Sequence, residues 1–246
     1  MYTNQYGQEG APPVLLLHGA GVAGWMWQSL RRSLESRHHV IVPDLPGHGE
    51  SSSEEYISHS ATVNALADLV VQRVGSPVAV IGFSLGAQLS ISLAAQHTPL
   101  VSRVMVVSAQ AKPMAHSRLT LGILGLSAPL ARRRWFARLQ AQQLFTPPEL
   151  MEQYIVTSAG ITKATLTAAV GENLRFALPE NWSRFPGEAL VMVGQRERRL
   201  MRDSAAAIHD ALPGSELEVV DGCGHGIPLQ RPEWFNTRVS AWLSQE

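Results

Sequence analysis

The stretch that most constrains the fold of this chain is Val78–Ala87, which reads Val-Ala-Val-Ile-Gly-Phe-Ser-Leu-Gly-Ala. Val78–Ile81 is a short, continuous, mostly β-branched run, the pattern of a strand buried on both faces in a parallel sheet. Gly82-Phe83-Ser84-Leu85-Gly86 follows at once, and Leu85–Gln96 has helical composition. A strand that turns through Gly-x-Ser-x-Gly into a helix is the setting of a nucleophile elbow, in which a strained serine lifts its Oγ off the end of the sheet. Glycine is needed at 82 and 86 because a side chain at either position would strike neighbouring backbone. The same letters also suit a plain turn with Ser84 as a helix cap, so the other segments must decide.

Those segments alternate strand and helix patterns, which implies a mostly parallel sheet with helices on both faces. Val14–Leu17 reads as a buried strand ending in His18-Gly19-Ala20-Gly21, and Trp25–Arg37 has helical spacing with Trp27, Leu30 and Leu34 on one face. Val40–Val42 is the next strand, followed by Asp44-Leu45-Pro46-Gly47-His48-Gly49-Glu50-Ser51. A helix is predicted over about Ser60–Arg73 and a strand over Val104–Val107. The alternation stops near Ala111 and resumes near Glu188. It then continues with a strand at Leu190–Val193, a helix from about Asp203, a strand at Leu217–Val220 and a C-terminal helix over Pro232–Leu243.

Between the two halves, residues 112–186 carry helix signals and no clear strand, and read as a helical lid inserted into a core made of residues 1–111 and 187–246. Ser127-Ala128-Pro129 resembles a helix start, Thr146-Pro147-Pro148-Glu149 has capping-box spacing, and Thr162–Phe176 is a further helical run. Arg132-Arg133-Arg134 is the only dense basic run, read as a solvated helix face.

Composition narrows the function. The chain has 246 residues, 45% apolar and 16% charged, which suits one globular domain with an insertion. Lys plus Arg and Asp plus Glu are 20 each, so there is no overall basic field for nucleic acid. One cysteine rules out an internal disulfide. No stretch has the length and apolarity of a membrane span, and Met1–Pro13 lacks the pattern of a signal peptide. A cytoplasmic protein, monomeric or homodimeric, without nucleic-acid or membrane partners, is the expectation.

Together, His18-Gly19-Ala20-Gly21, the Asp44–Ser51 loop, Gly82–Gly86 and Gly222-Cys223-Gly224-His225 resemble the α/β-hydrolase fold family, in its capped serine hydrolase or esterase form. The likeness runs from about Pro13 to the C-terminus, apart from the lid. Family members usually carry two more strands before the one at Val14. Met1–Tyr6 is therefore expected to supply one edge strand of a sheet shortened at its N-terminal side.

The resemblance assigns Ser84 as nucleophile and His225, in a glycine-flanked loop after the last core strand, as its base. The family's acid usually follows the strand after the lid in a Gly-x-x-Asp pattern. Here that place reads Gly194-Gln195-Arg196-Glu197, which favours Glu197, with Asp203 and Asp221 as rivals. Backbone N–H groups of Ala20 and Leu85 are expected to form the oxyanion hole. Trp25, Trp27, Phe83, Trp135, Phe136 and Phe145 are candidates for an apolar substrate pocket. His18 and His48 are expected to hold loops, Asp44 and Ser51 to fix the neighbouring loop, His38 and His39 to be solvated, and Cys223 to be a small packed residue.

No metal or organic cofactor is expected. The implied activity is cleavage of a carboxylic ester, lactone or thioester through an acyl-serine, on a small molecule with an apolar acyl part. Serine at the nucleophile position argues against the family's haloalkane dehalogenases and epoxide hydrolases, which use aspartate there. A lyase, carbon–carbon bond hydrolase or perhydrolase on the same triad, or a hydrolase-fold ligand sensor, stays open, since fold does not fix function.

Overall fold

The structure is a computed structural model and describes residues 1–114, 121 and 133–245. Its seven strands are β1 (Thr3–Tyr6), β2 (Pro13–Leu17), β3 (His39–Pro43), β4 (Val78–Phe83), β5 (Val101–Val107), β6 (Glu188–Gly194) and β7 (Glu216–Val220). They form one sheet in the order β1-β3-β2-β4-β5-β6-β7. Only β1 runs antiparallel, pairing Thr3 with Pro43 and Tyr6 with Val40. The mostly parallel sheet expected from the sequence is therefore present, with Thr3–Tyr6 as its edge strand.

Alternation within each strand divides the core in two. Val78 and Val80 of β4 enter one apolar cluster, and Ala79, Ile81 and Phe83 enter the other. Fully burying such a side chain is worth about 1.5–3 kcal/mol, so a central strand of this kind is held from both faces. Helices α1 (Gln28–Leu34), α2 (His59–Arg73) and α3 (Leu85–Gln96) follow β2, β3 and β4 in turn. On one face α2 contributes Val63, Leu66 and Val70, while α3 is buried along its length from Leu85 to Ala95.

Between β5 and β6 lie α4 (Arg134–Gln143), α5 (Met151–Gly160) and α6 (Lys163–Arg175). The core then ends with α7 (Arg199–Asp210), α8 (Ile227–Gln230) and α9 (Pro232–Leu243). α4 and α5 bury Ala137, Ala141, Tyr154 and Ile155 in the cluster that holds Phe83, whereas α6 buries Ala169 in the opposite one. A polar seam fixes α6. His59 donates from Nε2 to Gln88 Oε1 at 2.9 Å, and its backbone N–H donates to Glu172 Oε2 at 3.1 Å. Gln88 in turn donates from Nε2 to the Gln110 carbonyl at 2.7 Å, which fixes the orientation of its amide.

Several local expectations need correction. Thr146 does not cap a helix: its buried Oγ1 has no partner among the described residues, and a 3-10 turn at Pro148–Leu150 precedes α5. Pro148 lacks the N–H that a cap at Thr146 would receive from the second helical position. Thr162 does cap α6, accepting the N–H of Thr165 at 3.1 Å. His39 is buried and bonded to Gln5 Oε1 at 2.8 Å, because β1 pairs alongside β3; His38 is half-buried. The helix start at Ser127-Ala128-Pro129 and the side chain of Arg132 lie outside the described residues. Arg133 is exposed, and Arg134 forms an exposed two-pronged pair with Glu152 at 2.8 and 2.6 Å, a contact of little energetic weight. No helix among the described residues is long and apolar enough to cross a membrane.

Trp27 also changes role. It is fully buried and stacks on Phe235 of α9 with centroids 6.2 Å apart, so it locks α1 to α9 and does not line a substrate pocket. The cause is the phase of the helix: Trp27, Leu30 and Leu34 share the inward face. Its indole N–H has no partner among the described residues. Trp27→Ala should cost about 3–5 kcal/mol in urea denaturation. Trp27→Phe, which removes the unpaired N–H, should cost less than half of that. Equal losses would show that the ring's bulk at the Phe235 contact does not set the stability.

Candidate active site

The chain passes from β2 to β3 on one side and returns to β4 on the other, so the strand order reverses between β2 and β4. In open parallel sheets the crevice at such a point, outside the carboxyl ends of the strands, is where ligands bind. Register brings the ends together. Leu17 pairs with Gly82, Phe83 with Val107, Val107 with Met192 and Gly194 with Val220. The loops that follow carry His18–Gly21, Ser84, Ser108, Glu197 and His225 to one end of the sheet.

Ser84 has φ 53° and ψ −111°, and its side chain makes no capping bond, which discards the plain helix-cap reading. A β-carbon on Gly82 would strike the Gly86 carbonyl, and one on Gly86 would strike the carbonyls of Leu17 and His18. The turn is therefore compressed until the first turn of α3 lies against the end of β2. Among the described residues, no acceptor pairs with the N–H of Leu85 or of Ala20. The Leu85 N–H lies at the N-terminus of α3, the positive end of that helix's dipole.

His225 Nε2 lies 3.1 Å from Ser84 Oγ, and His225 Nδ1 lies 2.8 Å from Glu197 Oε2. The other oxygen of Glu197 accepts the Ser108 hydroxyl at 2.7 Å and the Gly194 N–H at 2.9 Å. With the carboxylate accepting at Nδ1, the imidazole carries its proton there and turns Nε2 towards the serine. Asp203 faces Arg199 at 3.5 Å and Asp221 is exposed, so of the three candidate acids the structure brings Glu197 to His225. Burial works to raise the pKa of Glu197, but its bonds from His225, Ser108 and Gly194 outweigh burial and hold it below the ordinary carboxylate value.

Neighbouring loops are held by buried polar groups. His18 receives the Leu45 N–H on Nε2 at 2.9 Å and places Nδ1 2.8 Å from the Gly19 carbonyl. Burial, helped by His48, pushes its pKa down to about 3, so His18 is a neutral strut. Asp44 accepts the N–H groups of Gly24 and Glu50 at 2.7 and 2.8 Å, and Ser51 accepts that of Tyr2 at 2.8 Å. Gly19-x-Gly21-x-x-Gly24 has the spacing of a dinucleotide loop, but the Gly24 N–H is taken by Asp44 and the turn opens a short 3-10 helix. It lacks the open α-helix N-terminus such a loop presents to a pyrophosphate. No group of three His, Cys, Asp or Glu side chains among the described residues is arranged to hold a metal.

The aromatic candidates scatter. Phe83 is buried, its ring 5.1 Å from that of His225, and so it backs that imidazole and does not form an open wall. Trp135 is 61% exposed and points outward, with Phe136 half-buried against its edge. Trp25 bonds Thr157 Oγ1 at 3.0 Å and lines a cleft of about 670 Å³ between β1, the Asp44–Ser52 loop and α5. Ser84 and His225 are absent from that cleft's lining. Phe145 lies over the His225 loop, against Gly224, while the Leu144 carbonyl fills the place of a side chain at 226. Cys223 is fully buried, and burial pushes its thiol pKa up.

Ser108 was not visible as a site residue in the sequence. Its one signal was position: a polar residue directly after a buried strand that lies between the strands of Ser84 and Glu197. The low pKa of Glu197 has a stability consequence. Its contribution is complete above the ordinary carboxyl pKa of 4.5 and is lost as pH falls through the lower folded value. Glu197→Gln should therefore be about 1–3 kcal/mol less stable near pH 7. The gap should close in thermal unfolding as the pH drops below 4.5. A gap independent of pH would mean that Glu197 is not a stabilised carboxylate.

Comparison with known proteins agrees with this layout. The profile of the alpha/beta hydrolase family matches residues 14–238. The (E)-2-((N-methylformamido)methylene)succinate hydrolase of Acinetobacter baylyi is 25% identical, over 98% of this chain and 94% of its own. Among solved structures, the enol-lactonase of Burkholderia xenovorans superposes with a TM-score of 0.86 at 18% identity, covering 99% of this chain and 96% of that one. A thermophilic esterase of Thermogutta terrifontis gives 0.81 at 22% identity, covering 98% and 92%. With its parallel sheet, its Gly82–Gly86 turn and a family match that spans both halves of the core, this chain belongs to the alpha/beta hydrolase family.

Proposed function

We propose that the chain is a serine hydrolase that cleaves a carboxylic ester, lactone or thioester by way of an acyl-serine. The observation that carries this reading is the unbroken line Ser84 Oγ, His225, Glu197, with contacts of 3.1 and 2.8 Å, beside two free backbone N–H groups. A serine hydroxyl is a poor nucleophile at neutral pH and needs an adjacent base. His225 Nε2 takes the Ser84 proton as Oγ attacks the carbonyl carbon. The carbonyl oxygen becomes an oxyanion beside the Leu85 and Ala20 N–H groups, and Glu197 stabilises the imidazolium. His225 then protonates the leaving oxygen or sulfur, and a water activated by the same Nε2 hydrolyses the acyl-serine.

Residues 112–186 act as a lid in this scheme, and among the described residues the turn at Leu144–Phe145 lies against the base loop. Substrate enters beneath it with an apolar acyl part. The esterase and enol-lactonase neighbours hydrolyse bonds of this kind on the same fold, which supports the reading without deciding the substrate.

Ser84→Ala should lower turnover of short p-nitrophenyl esters by about 10⁴–10⁶. A fluorophosphonate should label the wild type at Ser84, read by peptide mass. Stoichiometric release without turnover would point to a ligand sensor, and labelling elsewhere would remove Ser84 as nucleophile. Glu197→Gln should cost about 10²–10⁴ in turnover, whereas Asp203→Asn and Asp221→Asn should each cost less than about tenfold. Collapse in either aspartate variant beside a near-normal Glu197→Gln would move the acid. Phe145→Ala should shift the acyl-length optimum and the outward Trp135→Ala should leave it in place; the reverse pattern would misplace the lid's contact face.

A further inference from the structure

The carboxyl end of β5 touches both ends of the Ser84–His225–Glu197 line. The Val107 carbonyl accepts the Ser84 N–H at 2.8 Å. The next residue, Ser108, donates its N–H to the Met192 carbonyl of β6 at 2.9 Å and its hydroxyl to Glu197 Oε1 at 2.7 Å. One short piece of backbone thus holds the nucleophile's turn on one side and the acid's carboxylate on the other.

Ser108 stands in a conformation that serine does not favour. Its φ is 56°, in the left-handed region, where a residue with a β-carbon is penalised and glycine is not. It is 1% exposed, so its hydroxyl gains nothing from solvent. Backbone geometry alone would therefore be better served by glycine. What serine adds is one hydroxyl, and the partner of that hydroxyl is Glu197.

The bond matters because of where it falls on the carboxylate. Oε1 is gripped by two donors from different elements, Ser108 Oγ and Gly194 N, at 2.7 and 2.9 Å. Two donors on one oxygen fix the rotation of the carboxylate plane and leave Oε2 aimed at His225 Nδ1. Without the Ser108 donor, Oε1 keeps only the Gly194 N–H, and the carboxylate plane is set by that contact and by the His225 bond on Oε2 alone.

We propose that Ser108 is a positioning residue of the triad, whose hydroxyl sets the Glu197 carboxylate so that His225 keeps its proton on Nδ1 and presents Nε2 to Ser84. It touches no reacting atom and acts only through Glu197. The inference rests on the reading of Ser84, His225 and Glu197 as a catalytic triad.

The test compares Ser108→Gly with Ser108→Ala. Both lose the hydroxyl, but glycine also removes the backbone penalty at 108. A serine kept only for local structure predicts that Ser108→Gly is folded, stable and fully active. A positioning serine predicts that Ser108→Gly is at least as stable as Ser108→Ala in thermal unfolding, yet equally impaired. The expected loss is about 10–10² in kcat with KM changed less than about threefold, short of the 10⁴ that loss of the orienting acid can cost. In imidazole ¹⁵N spectra at pH 8, the His225 signals (assigned against His225→Gln) should move from one tautomer towards a mixture in both variants. Wild-type kcat or a wild-type tautomer in Ser108→Gly would overturn the proposal. Failure of both variants to fold would overturn it too, by making the hydroxyl a requirement of the fold. Glu197→Gln and phosphonate labelling of Ser84, run in parallel, separate the two readings. If these fail, the triad itself falls; if they hold while Ser108→Gly behaves as wild type, only the role of Ser108 is lost.

Discussion

The contact of Gly86 with the carbonyls of Leu17 and His18 sets the geometry of the whole site end of the sheet. It presses the first turn of α3 onto the end of β2, which places the free N–H of Leu85 on the same side as the loop that carries Ala20. Ser84 is caught between, at φ 53°, a conformation that costs about 1–3 kcal/mol and survives only where the surroundings over-determine it. Here they do. β4 and α3 on either side of the serine are buried almost without interruption, and the Ser84 N–H is tied to Val107 of the next strand. The strain is borne by packing that the parallel sheet would have in any case.

Around this fixed point the loops are held by buried polar groups. His18 is neutral because burial makes its charged form costly, and a neutral imidazole can both donate and accept, which lets it span Gly19 and Leu45. Asp44 does the opposite work with two acceptor oxygens on two N–H groups from different turns. Backbone amides that would otherwise be unpaired at the rim of the sheet are consumed in this way. Those of Leu85 and Ala20 remain open among the described residues, and in the proposed reaction the oxyanion would meet donors already in place before charge develops.

Much of this was legible in the sequence, and the reason is physical. Val78–Ile81 and Pro232–Leu243 announce themselves because burial dictates their apolar pattern, and Gly82 and Gly86 because only glycine fits where backbones meet. The helix over Lys163–Arg175 was readable from the run Thr162–Phe176 since helical composition is local. What escaped was non-local. Trp27 and Trp25 are two residues apart and equally aromatic, yet one faces α9 and the other bonds Thr157 of α5. His39 looked solvated because nothing in its own neighbourhood says that Gln5 of the adjoining β1 will reach it. Ser108 and His59 gain their partners, Glu197 and Gln88, across 89 and 29 residues, and no spacing rule reaches that far.

Glu197 shows how a departure from the usual pattern is absorbed. A glutamate is one methylene longer than an aspartate, and that excess must be taken up or the carboxylate would overrun His225. The Glu197 N–H bonds back to the Gly194 carbonyl at 3.0 Å, closing a tight turn that sets the residue's backbone behind the end of β6. The same turn lets the Gly194 N–H reach Oε1, so the longer side chain folds over its own turn. A buried carboxylate left with one partner would sooner be protonated than charged. Here the turn supplies one donor, the tail of β5 a second and His225 the third, and with all three the anion is the favoured form. The extra methylene thus becomes part of the support, and the charge that orients His225 is held by the two strands that flank it.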